Sequence, residues 1–222
     1  MPRILYTGTQ NASSWAFRAW LALKEAEVEF QEEVVDIRKP QRFANLAKVG
    51  TFSPPAAVPV LVDADTVIYD SLAIMEYANE LCEGRLLPKD LTRRARARAL
   101  TAWQHAGLSG ICARISFESV FYPDRRDLTA VELSEAARIF DVWESELRQS
   151  GGPFLLGELS LADLAFVPTV VRLTSHVRSL DQWPLLGVWA ERLLSRPSVK
   201  AWMDVANSLP PVYLEDYRIA RS

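Results

Sequence analysis

Residues 58–77 read VPVLVDADTVIYDSLAIMEY, and this stretch decides the fold. Two short runs rich in β-branched residues, 58–62 and 67–69, flank a turn-forming link of two aspartates and an alanine, which predicts a pair of adjacent strands. Asp70 or Ser71 then stands at the N-cap of a helix. The apolar side chains of that helix recur on one face, at Ile74, Tyr77, Ala78 and Leu81. The stretch therefore predicts a strand–strand–helix unit.

The residues before this unit complete a small α/β domain. Residues 3–7 predict a first strand, and a polar loop over 8–13 leads to a helix. The apolar stripe of that helix comprises Trp15, Ala19, Ala22, Leu23 and Ala26. Residues 30–35 predict a second strand, and residues 39–47 predict a short, irregular helical stretch. The predicted order of elements is thus β-α-β-α-β-β-α.

The rest of the chain predicts helices. Residues 83–92 contain Gly84, Pro88 and several charges, which is typical of a linker. One long helix is expected from residue 93 to about 120, with its arginines on a solvated face. Further helices are expected before Gly151, after a capping box at Ser160 and Asp163 with Pro168 inside that helix, and from Pro184 and Pro197. The predicted fold class is α/β followed by all-α, with domains over residues 1–82 and 93–222 and a linker over 83–92.

Composition and charge exclude several classes of function. The chain has 222 residues and a net charge of −3, so no nucleic-acid partner is expected. Because no apolar run is long enough to cross a bilayer and the N-terminus lacks a signal peptide, we expect no membrane partner and a cytoplasmic location. His105 and His176 are isolated, and Cys82 and Cys112 form no CxxC motif, so neither a metal site nor a disulfide is expected.

A hydroxyl-bearing loop precedes the first helix. It reads Asn11-Ala12-Ser13-Ser14-Trp15, so Ser13 or Ser14 stands at a helix N-terminus. Backbone N–H groups and the helix dipole favour an anion there, and a hydroxyl that donates to a bound thiol stabilises its nucleophilic thiolate form. The alternative is that the serine is only an N-cap.

Two further positions suit a peptide-like ligand. A cis Val58–Pro59 bond would leave the N–H and C=O of Val58 free to pair with a peptide, whereas a trans proline would mark an ordinary edge strand. Asp70 can accept a hydrogen bond from an ammonium group, and Ser71 with the free amides of the helix start can hold a carboxylate. The alternative for these two residues is a plain N-cap.

The order of these features resembles the glutathione transferase family. Residues 69–77 are similar to the family's acid-Ser-x-Ala-Ile stretch, residues 157–163 to its capping box, and residues 189–199 to its Trp…Arg-Pro stretch. The resemblance covers residues 3–205. It implies a thioredoxin-like first domain that binds glutathione as co-substrate, followed by the all-helical domain.

The resemblance also implies roles for particular residues. Glutathione would contact Val58 and Pro59 through its cysteinyl backbone, Asp70 and Ser71 through its γ-glutamyl end, and Lys48 or Gln41 through its glycyl carboxylate. The electrophile would lie near apolar residues of the first long helix of the second domain, Trp103, Leu108, Cys112 and Phe117. Each of these four is equally compatible with a place in the core.

The catalytic loop departs from the family pattern. The zeta-like form reads Ser-Ser-Cys-x-x-Arg-x-Arg, and counting back from Arg18 puts its activating serine on Asn11. Ser13, Ser14 and Asn11, in that order, are therefore the candidates for the thiol activator, since an amide can also donate. The loop contains no cysteine, which argues against the omega-like, thiol-exchanging members.

The leading interpretation is a homodimeric glutathione transferase that conjugates the glutathione thiolate to a small hydrophobic electrophile. One alternative is a glutathione-dependent isomerase of the maleylacetoacetate type, although the Ser-Ser-Cys signature is absent. The other alternative is a non-catalytic member that uses the fold for binding or assembly. Turnover of a maleyl substrate tests the first alternative, and absence of glutathione binding would favour the second.

Overall fold

Four strands form a mixed sheet in the first part of the chain. The computed structural model describes residues 2–215 and 217, so the two ends of the predicted domains, Met1 and Ser222, lie outside the described residues. The strands are β1 (Ile4–Gly8), β2 (Gln31–Val35), β3 (Val60–Asp63) and β4 (Thr66–Tyr69). Their order in the sheet is β2-β1-β3-β4. Strand β1 runs parallel to β2 and antiparallel to β3, and β4 runs antiparallel to β3.

The third strand begins later than predicted. The expectation of a strand over residues 58–62 is wrong, because β3 begins at Val60. Pro59 has no N–H group to donate to a ladder, so strand pairing starts after it, with Val60 opposite Tyr6. The Val58–Pro59 peptide bond is cis.

Helices make up the rest of the described chain. In the α/β part these are α1 (Ser14–Glu25), α2 (Arg42–Val49) and α3 (Ser71–Leu81). In the second part they are α4 (Leu91–Ala102), α5 (Ser109–Arg114), α6 (Ala130–Ser150), α7 (Leu161–Thr174), α8 (Pro184–Leu194) and α9 (Pro197–Ser208). This order confirms the predicted fold class, while the division at residues 83–92 stays a prediction.

The single long helix expected from residue 93 to about 120 is wrong. Helix α4 ends in a π-helical turn, Trp103–Gly107, and a 3₁₀ turn, Glu118–Phe121, follows α5. Gly107 and Gly110 lower the helix propensity of this region, which favours an interrupted path. The interruption changes which side chains of the region face outward.

Helix α7 lies at the centre of the helical part. Its residues 161–173 are all buried, and it packs against α1, α4 and α8. The predicted capping box at its start is present, because the Asp163 carboxylate accepts hydrogen bonds from the N–H and the hydroxyl of Ser160 at 2.9 and 2.8 Å. No described helix is both long enough and apolar enough to cross a membrane.

Helix α1 is enclosed on almost all sides. It packs against α3 over the sheet and against α7 and α9 from the helical part, so residues 16–23 are all buried. The predicted stripe is wrong at its first member, because Trp15 is 42% exposed. Trp15 lies at the open end of the helix, where the two parts of the chain separate into a cleft.

Candidate functional site

A cleft of about 940 Å³ lies between the α/β part and the helical part. One wall consists of the loop before α1, the start of α1, the segment before α2, and Val58. The opposite wall contains residues of the π-helical turn, α5, the 3₁₀ turn and α7, and residues 210–215 also line the cleft. The cleft therefore collects side chains that are far apart in the sequence.

Ser13 and Ser14 both line this cleft at the N-terminus of α1. Ser13 is the N-cap, and its Oγ accepts a hydrogen bond from the Ala16 N–H at 3.4 Å. Ser14 Oγ accepts one from Nη2 of Arg172 at 3.4 Å. Because an amide N–H and a guanidinium can only donate, both hydroxyl protons remain available to a ligand. The structure thus brings together the first two candidates for the thiol activator.

Asn11, the third candidate, does not line the cleft. Its side chain is buried, and its Nδ2 donates to the C=O of Pro210 at 2.9 Å. The amide therefore ties the loop before α1 to the segment that follows α9. Because the segment after α9 lies against the Asn11 side chain, Asn11 is not part of the cleft lining that contains Ser13 and Ser14.

Val58 lines the cleft, and Pro59 is buried next to it. The sequence left the isomer of their peptide bond open, and the structure has the cis form. The backbone N–H and C=O of Val58 form no hydrogen bond with the backbone of any described residue. Unpaired backbone groups at a cleft can form strand-like hydrogen bonds with an extended peptide.

Asp70 and Ser71 stand together at the start of α3, just outside the lining of the cleft. Asp70 Oδ1 accepts from the Leu72 N–H at 2.7 Å, and Asp70 Oδ2 lies 3.5 Å from Nε2 of His105, which lines the cleft. Asp70 adopts a φ of 76°, which is unfavourable for a residue with a Cβ atom. Ser71 is buried, and its Oγ has no hydrogen-bond partner among the described residues. An acid beside an unpaired hydroxyl fits the α-amino acid end of a ligand.

Gln41 and Lys48 do not line the cleft. Gln41 stands just before α2 and Lys48 in its last turn, and both are exposed. The cleft is lined instead by three basic residues from the segment before α2 and its start, Arg38, Lys39 and Arg42. Arg38 is held by Asp36, whose carboxylate accepts from its Nε and Nη2 at 2.9 Å. These hydrogen bonds lower the pKa of Asp36 to about 2.

The four predicted electrophile contacts divide into two pairs. Cys112 and Phe117 line the cleft, whereas Trp103 and Leu108 do not. Leu108 is fully buried in the core, and the Trp103 ring packs edge-on against Phe166, with 5.8 Å between ring centroids. The four residues do not lie on one long helix as expected, because a π-helical turn, Trp103–Gly107, and the short helix α5 divide the region.

Two arginines of the cleft were missed as site residues by sequence reasoning. Arg18 lies one helical turn after Ser14 on α1, and that spacing was an available signal. Arg172 lies on α7, where it and Asp163 are the charged residues of an otherwise apolar helix. A lone cation in a buried helix was a signal as well, since such residues are rarely buried without a role.

Both guanidinium groups are buried. Arg18 is 3% exposed, and its Cζ lies 4.1 Å from the centroid of the Trp15 ring. Burial, assisted by the charge of Arg172, lowers the pKa of Arg18 to about 10, so this side chain stays protonated at neutral pH. Arg172 is 4% exposed and donates to Sγ of Cys112 at 3.1 Å. The Nε atom of each arginine is buried without a partner among the described residues.

The acidic residue Glu118 lines the helical wall, and burial raises the pKa of its carboxyl group. Within residues 2–215 and 217, no three His, Cys, Asp or Glu side chains are grouped so that they could hold a metal ion. The groups that line the cleft include two serine hydroxyls, the backbone of Val58, two buried guanidinium groups, the Cys112 thiol, the His105 imidazole and the Glu118 carboxyl group.

Two family models match this chain, over residues 12–81 (glutathione S-transferase, N-terminal domain) and residues 125–204 (glutathione S-transferase, C-terminal domain). A probable maleylacetoacetate isomerase of Caenorhabditis elegans is 29% identical over 203 residues, which cover 88% of this chain and 90% of that protein. Glutathione S-transferase theta-3 of Mus musculus is 25% identical over 184 residues, which cover 78% of this chain and 75% of that protein.

The same fold is found in a solved structure of glutathione S-transferase-I with lactoylglutathione bound. It aligns with a TM-score of 0.77 at 24% identity and covers 92% of this chain and 100% of that chain. Together the two family models match most of the sequence, and the first of them includes Ser13, Ser14, Val58 and Ser71. The resemblance seen in the sequence is thereby confirmed, and the chain belongs to the glutathione S-transferase family.

Proposed function

We propose that the protein is a glutathione transferase that binds glutathione in the cleft, ionises its thiol and conjugates the sulfur to an electrophile. One observation carries this proposal. Two serine hydroxyls at the N-terminus of α1 and the unpaired backbone of Val58 line the same cleft. Such a set of groups can hold a peptide backbone beside a site that favours an anion.

The residues around the cleft suit the parts of a glutathione molecule. Val58 supplies backbone hydrogen bonds to the cysteinyl residue, and Asp70 and Ser71 hold the γ-glutamyl end. Lys39 and Arg42 are better placed for the glycyl carboxylate than Lys48 and Gln41, because the first two line the cleft and the others do not. The buried, unpaired Oγ of Ser71 supports this assignment, since a ligand carboxylate would supply its missing partner.

The thiol is activated in this proposal by hydrogen bonding and by charge. A hydroxyl that donates to sulfur favours the thiolate over the thiol, as does the N-terminal end of α1. Ser13 is our first candidate for that donor and Ser14 the second. The thiolate then attacks the electrophilic atom of the second substrate, and the leaving group departs with the bonding electrons.

Calorimetry tests this proposal directly. Glutathione is titrated into the protein at pH 7 in two buffers that differ in ionisation enthalpy. We expect binding with release of a proton, because a thiol that is mostly protonated in water becomes a thiolate in the cleft. S-methylglutathione, which has no thiol proton, is the control and should bind without that release.

Other outcomes of the titration separate the parts of the proposal. Binding without proton release would leave the glutathione site standing and contradict the hydroxyl as activator. Absence of binding, checked by equilibrium dialysis, would contradict the transferase and favour a non-catalytic member of the family.

The second candidate function is a glutathione-dependent isomerase. It rests on the 29% identity to the probable maleylacetoacetate isomerase of Caenorhabditis elegans. An isomerase returns glutathione unchanged, whereas a transferase consumes it. Turnover of a maleyl substrate with constant total free thiol would therefore favour the isomerase.

We also propose a homodimer and a cytoplasmic location. Large apolar side chains are exposed on both parts of the chain, among them Phe52, Tyr69 and Leu91, and a second copy could cover them. Sedimentation equilibrium should then give twice the mass of one chain.

Both Cys82 and Cys112 have free thiols, which suits a reducing compartment, and cell fractionation tests that location.

A further inference from the structure

Two buried cations in the cleft, Arg18 and Arg172, have no acidic side chain at ion-pair distance among the described residues. The described residues form ion pairs at other arginines, but none of these pairs, defined by a separation of at most 4.0 Å, includes Arg18 or Arg172. The Arg18 guanidinium lies over the face of the Trp15 ring, and the charge of Asp70 acts on it from beyond ion-pair distance. Arg172 donates to a sulfur and a hydroxyl oxygen. Burying a guanidinium without a counter-charge is costly, so this arrangement calls for a negative partner.

The structure does supply partners to buried arginines elsewhere. Arg126 is buried as deeply as these two, and its Nη atoms donate to both carboxylate oxygens of Glu132 at 2.6 and 2.7 Å. Glu118 is the acidic side chain of the helical wall near Arg172, but it forms no ion pair with it. Burial raises the pKa of Glu118, and the charge of Arg172 offsets part of that rise. The arginines of the cleft thus differ from Arg126 in facing a space that a ligand can enter.

We propose that the second substrate is an anionic electrophile, a small organic carboxylate, and that Arg18 and Arg172 bind its carboxylate group. This inference rests on the proposed transferase function and specifies its substrate class. It replaces the expectation of a purely hydrophobic electrophile. A guanidinium presents a planar set of N–H donors that matches the two oxygens of a carboxylate.

The position of Arg172 favours the second substrate over glutathione as its ligand, and Arg18 lies across the cleft from it on α1. The proposed contacts for the two carboxylates of glutathione lie elsewhere, at Ser71 and at the cations before α2. Arg172 projects from α7 on the opposite wall, next to Cys112. The Cζ of Arg172 also lies 5.9 Å from the centroid of the Phe117 ring, so this guanidinium is held beside an aromatic side chain of the helical wall.

A matched pair of substrates tests this inference. The probes are 4-chloro-3,5-dinitrobenzoate and its methyl ester, which share the ring and the leaving group and differ in charge. Each kcat/KM is divided by the uncatalysed rate constant, because the ester is intrinsically more reactive. We expect the acid to be favoured roughly 10- to 100-fold, the usual size for a charged hydrogen bond.

Variants assign the preference to the two arginines. In Arg172→Gln and in Arg18→Gln the acid should lose most of its advantage over the ester, whereas Arg172→Lys should retain part of it. Arg178→Gln is the matched control, because it also removes one positive charge but the Arg178 side chain is 90% exposed and lies outside the cleft. A preference for the acid that persists in both Gln variants would overturn the assignment.

A binding measurement keeps the inference separate from the transferase function. The dissociation constants of 3,5-dinitrobenzoate and its methyl ester, which have no leaving group, are measured with S-methylglutathione at saturation. If the acid binds more tightly than the ester and this difference depends on Arg172, the anion site is supported. This holds even if neither chlorinated probe is conjugated, because that result would count against the proposed transferase and not against the anion site. Equal dissociation constants for the acid and the ester would overturn the inference. Conjugation of the chlorinated ester but not of the chlorinated acid would also overturn it, while it would support the transferase.

Discussion

Ser13 and Ser14 are adjacent in the sequence but have different neighbours. Ser13 is buried and engaged with the backbone of α1, whereas Ser14 is half-buried and engaged with Arg172. Both oxygens accept a hydrogen bond and both protons are free. The sequence could name the pair as candidates, and the structure places both at the cleft while Asn11 donates to the C=O of Pro210.

We expect Ser13→Ala to lower kcat with 1-chloro-2,4-dinitrobenzene by roughly 10- to 100-fold, while the Kd for glutathione changes by less than about threefold. The reason is that a hydroxyl donor acts on ionisation of the thiol more than on contact with the peptide. The absorbance of the bound thiolate, followed against pH, should show a raised thiol pKa in the variant. Ser14→Ala is the comparison, and the same pattern in Ser14→Ala alone would make Ser14 the activator.

Ser71 offers a test that separates binding from stability. Its Oγ is buried and unpaired in the free protein, so Ser71→Ala should leave the free energy of unfolding within about 0.5 kcal/mol of the parent. Glutathione affinity should fall by about 1–3 kcal/mol, because the ligand carboxylate loses a charged hydrogen bond. Urea unfolding and calorimetry measure the two quantities, with Ser195→Ala on the exposed end of α8 as control. Unchanged affinity would remove Ser71 from the site.

At the scale of elements, the start of α6 depends on one carboxylate. Glu132 accepts hydrogen bonds from Arg126, from the Thr129 N–H at 2.9 Å and from the Thr129 hydroxyl at 3.1 Å. The Arg126 hydrogen bonds lower the pKa of Glu132 from 4.5 to about 2. The ionised carboxylate therefore stabilises the folded state above pH 4.5, and this contribution is lost as the pH falls toward 2.

We expect Glu132→Gln to be less stable than the parent at pH 7 by on the order of 3 kcal/mol. The difference should shrink between about pH 4.5 and pH 2, because the parent loses its ionised carboxylate over that range. Urea unfolding at a series of pH values measures it. A difference that stays constant down to pH 2 would contradict the role of this ion pair.

Helix α7 is fixed at its start by Asp163. Besides Ser160, the carboxylate accepts from the Leu155 N–H at 3.0 Å and from the indole Nε1 of Trp189 at 2.9 Å. We expect Asp163→Ala to lower the free energy of unfolding by about 3 kcal/mol, more than a simple cap contributes, because four donors lose their acceptor in the core. Activity per folded molecule should persist. Asp204→Ala on exposed α9 is the control, and a loss of activity at full stability would contradict this structural role.

Prediction from the sequence succeeded where local chemistry decides the outcome. The caps at Asp70 and Ser160 and the periodicity of α3 depend on neighbouring residues and could be found from them. The break after α4 could be found only in part, because Gly107 and Gly110 lower the helix propensity but do not specify a π-helical turn. After this turn Leu108 lies in the core and Cys112 lines the cleft. Likewise, only the path of the segment before α2 shows that Lys39 and Arg42 reach the cleft while Lys48 does not.

At the scale of the whole molecule, residues 210–215 join distant parts of the chain. The Tyr122 hydroxyl donates to the Val212 C=O at 2.8 Å and accepts from the Leu214 N–H at 2.8 Å, while Asn11 holds Pro210 from the other side. Tyr122→Phe should therefore speed hydrogen exchange at the Leu214 amide by about tenfold or more. Exchange by mass spectrometry measures this, with Tyr69→Phe on exposed β4 as control. Unchanged exchange in residues 210–215 would show that Tyr122 does not hold the segment.

The position of residues 210–215 after α9 has a consequence for how the cleft forms during protein synthesis. Synthesis produces α1 and its serines early, the α7 arginine later, and residues 210–215 only after α9. A chain still growing on the ribosome thus carries Ser13, Ser14 and Arg172 before residues 210–215, which also line the cleft, have been made. The lining of the cleft is therefore completed only after α9 has been synthesised.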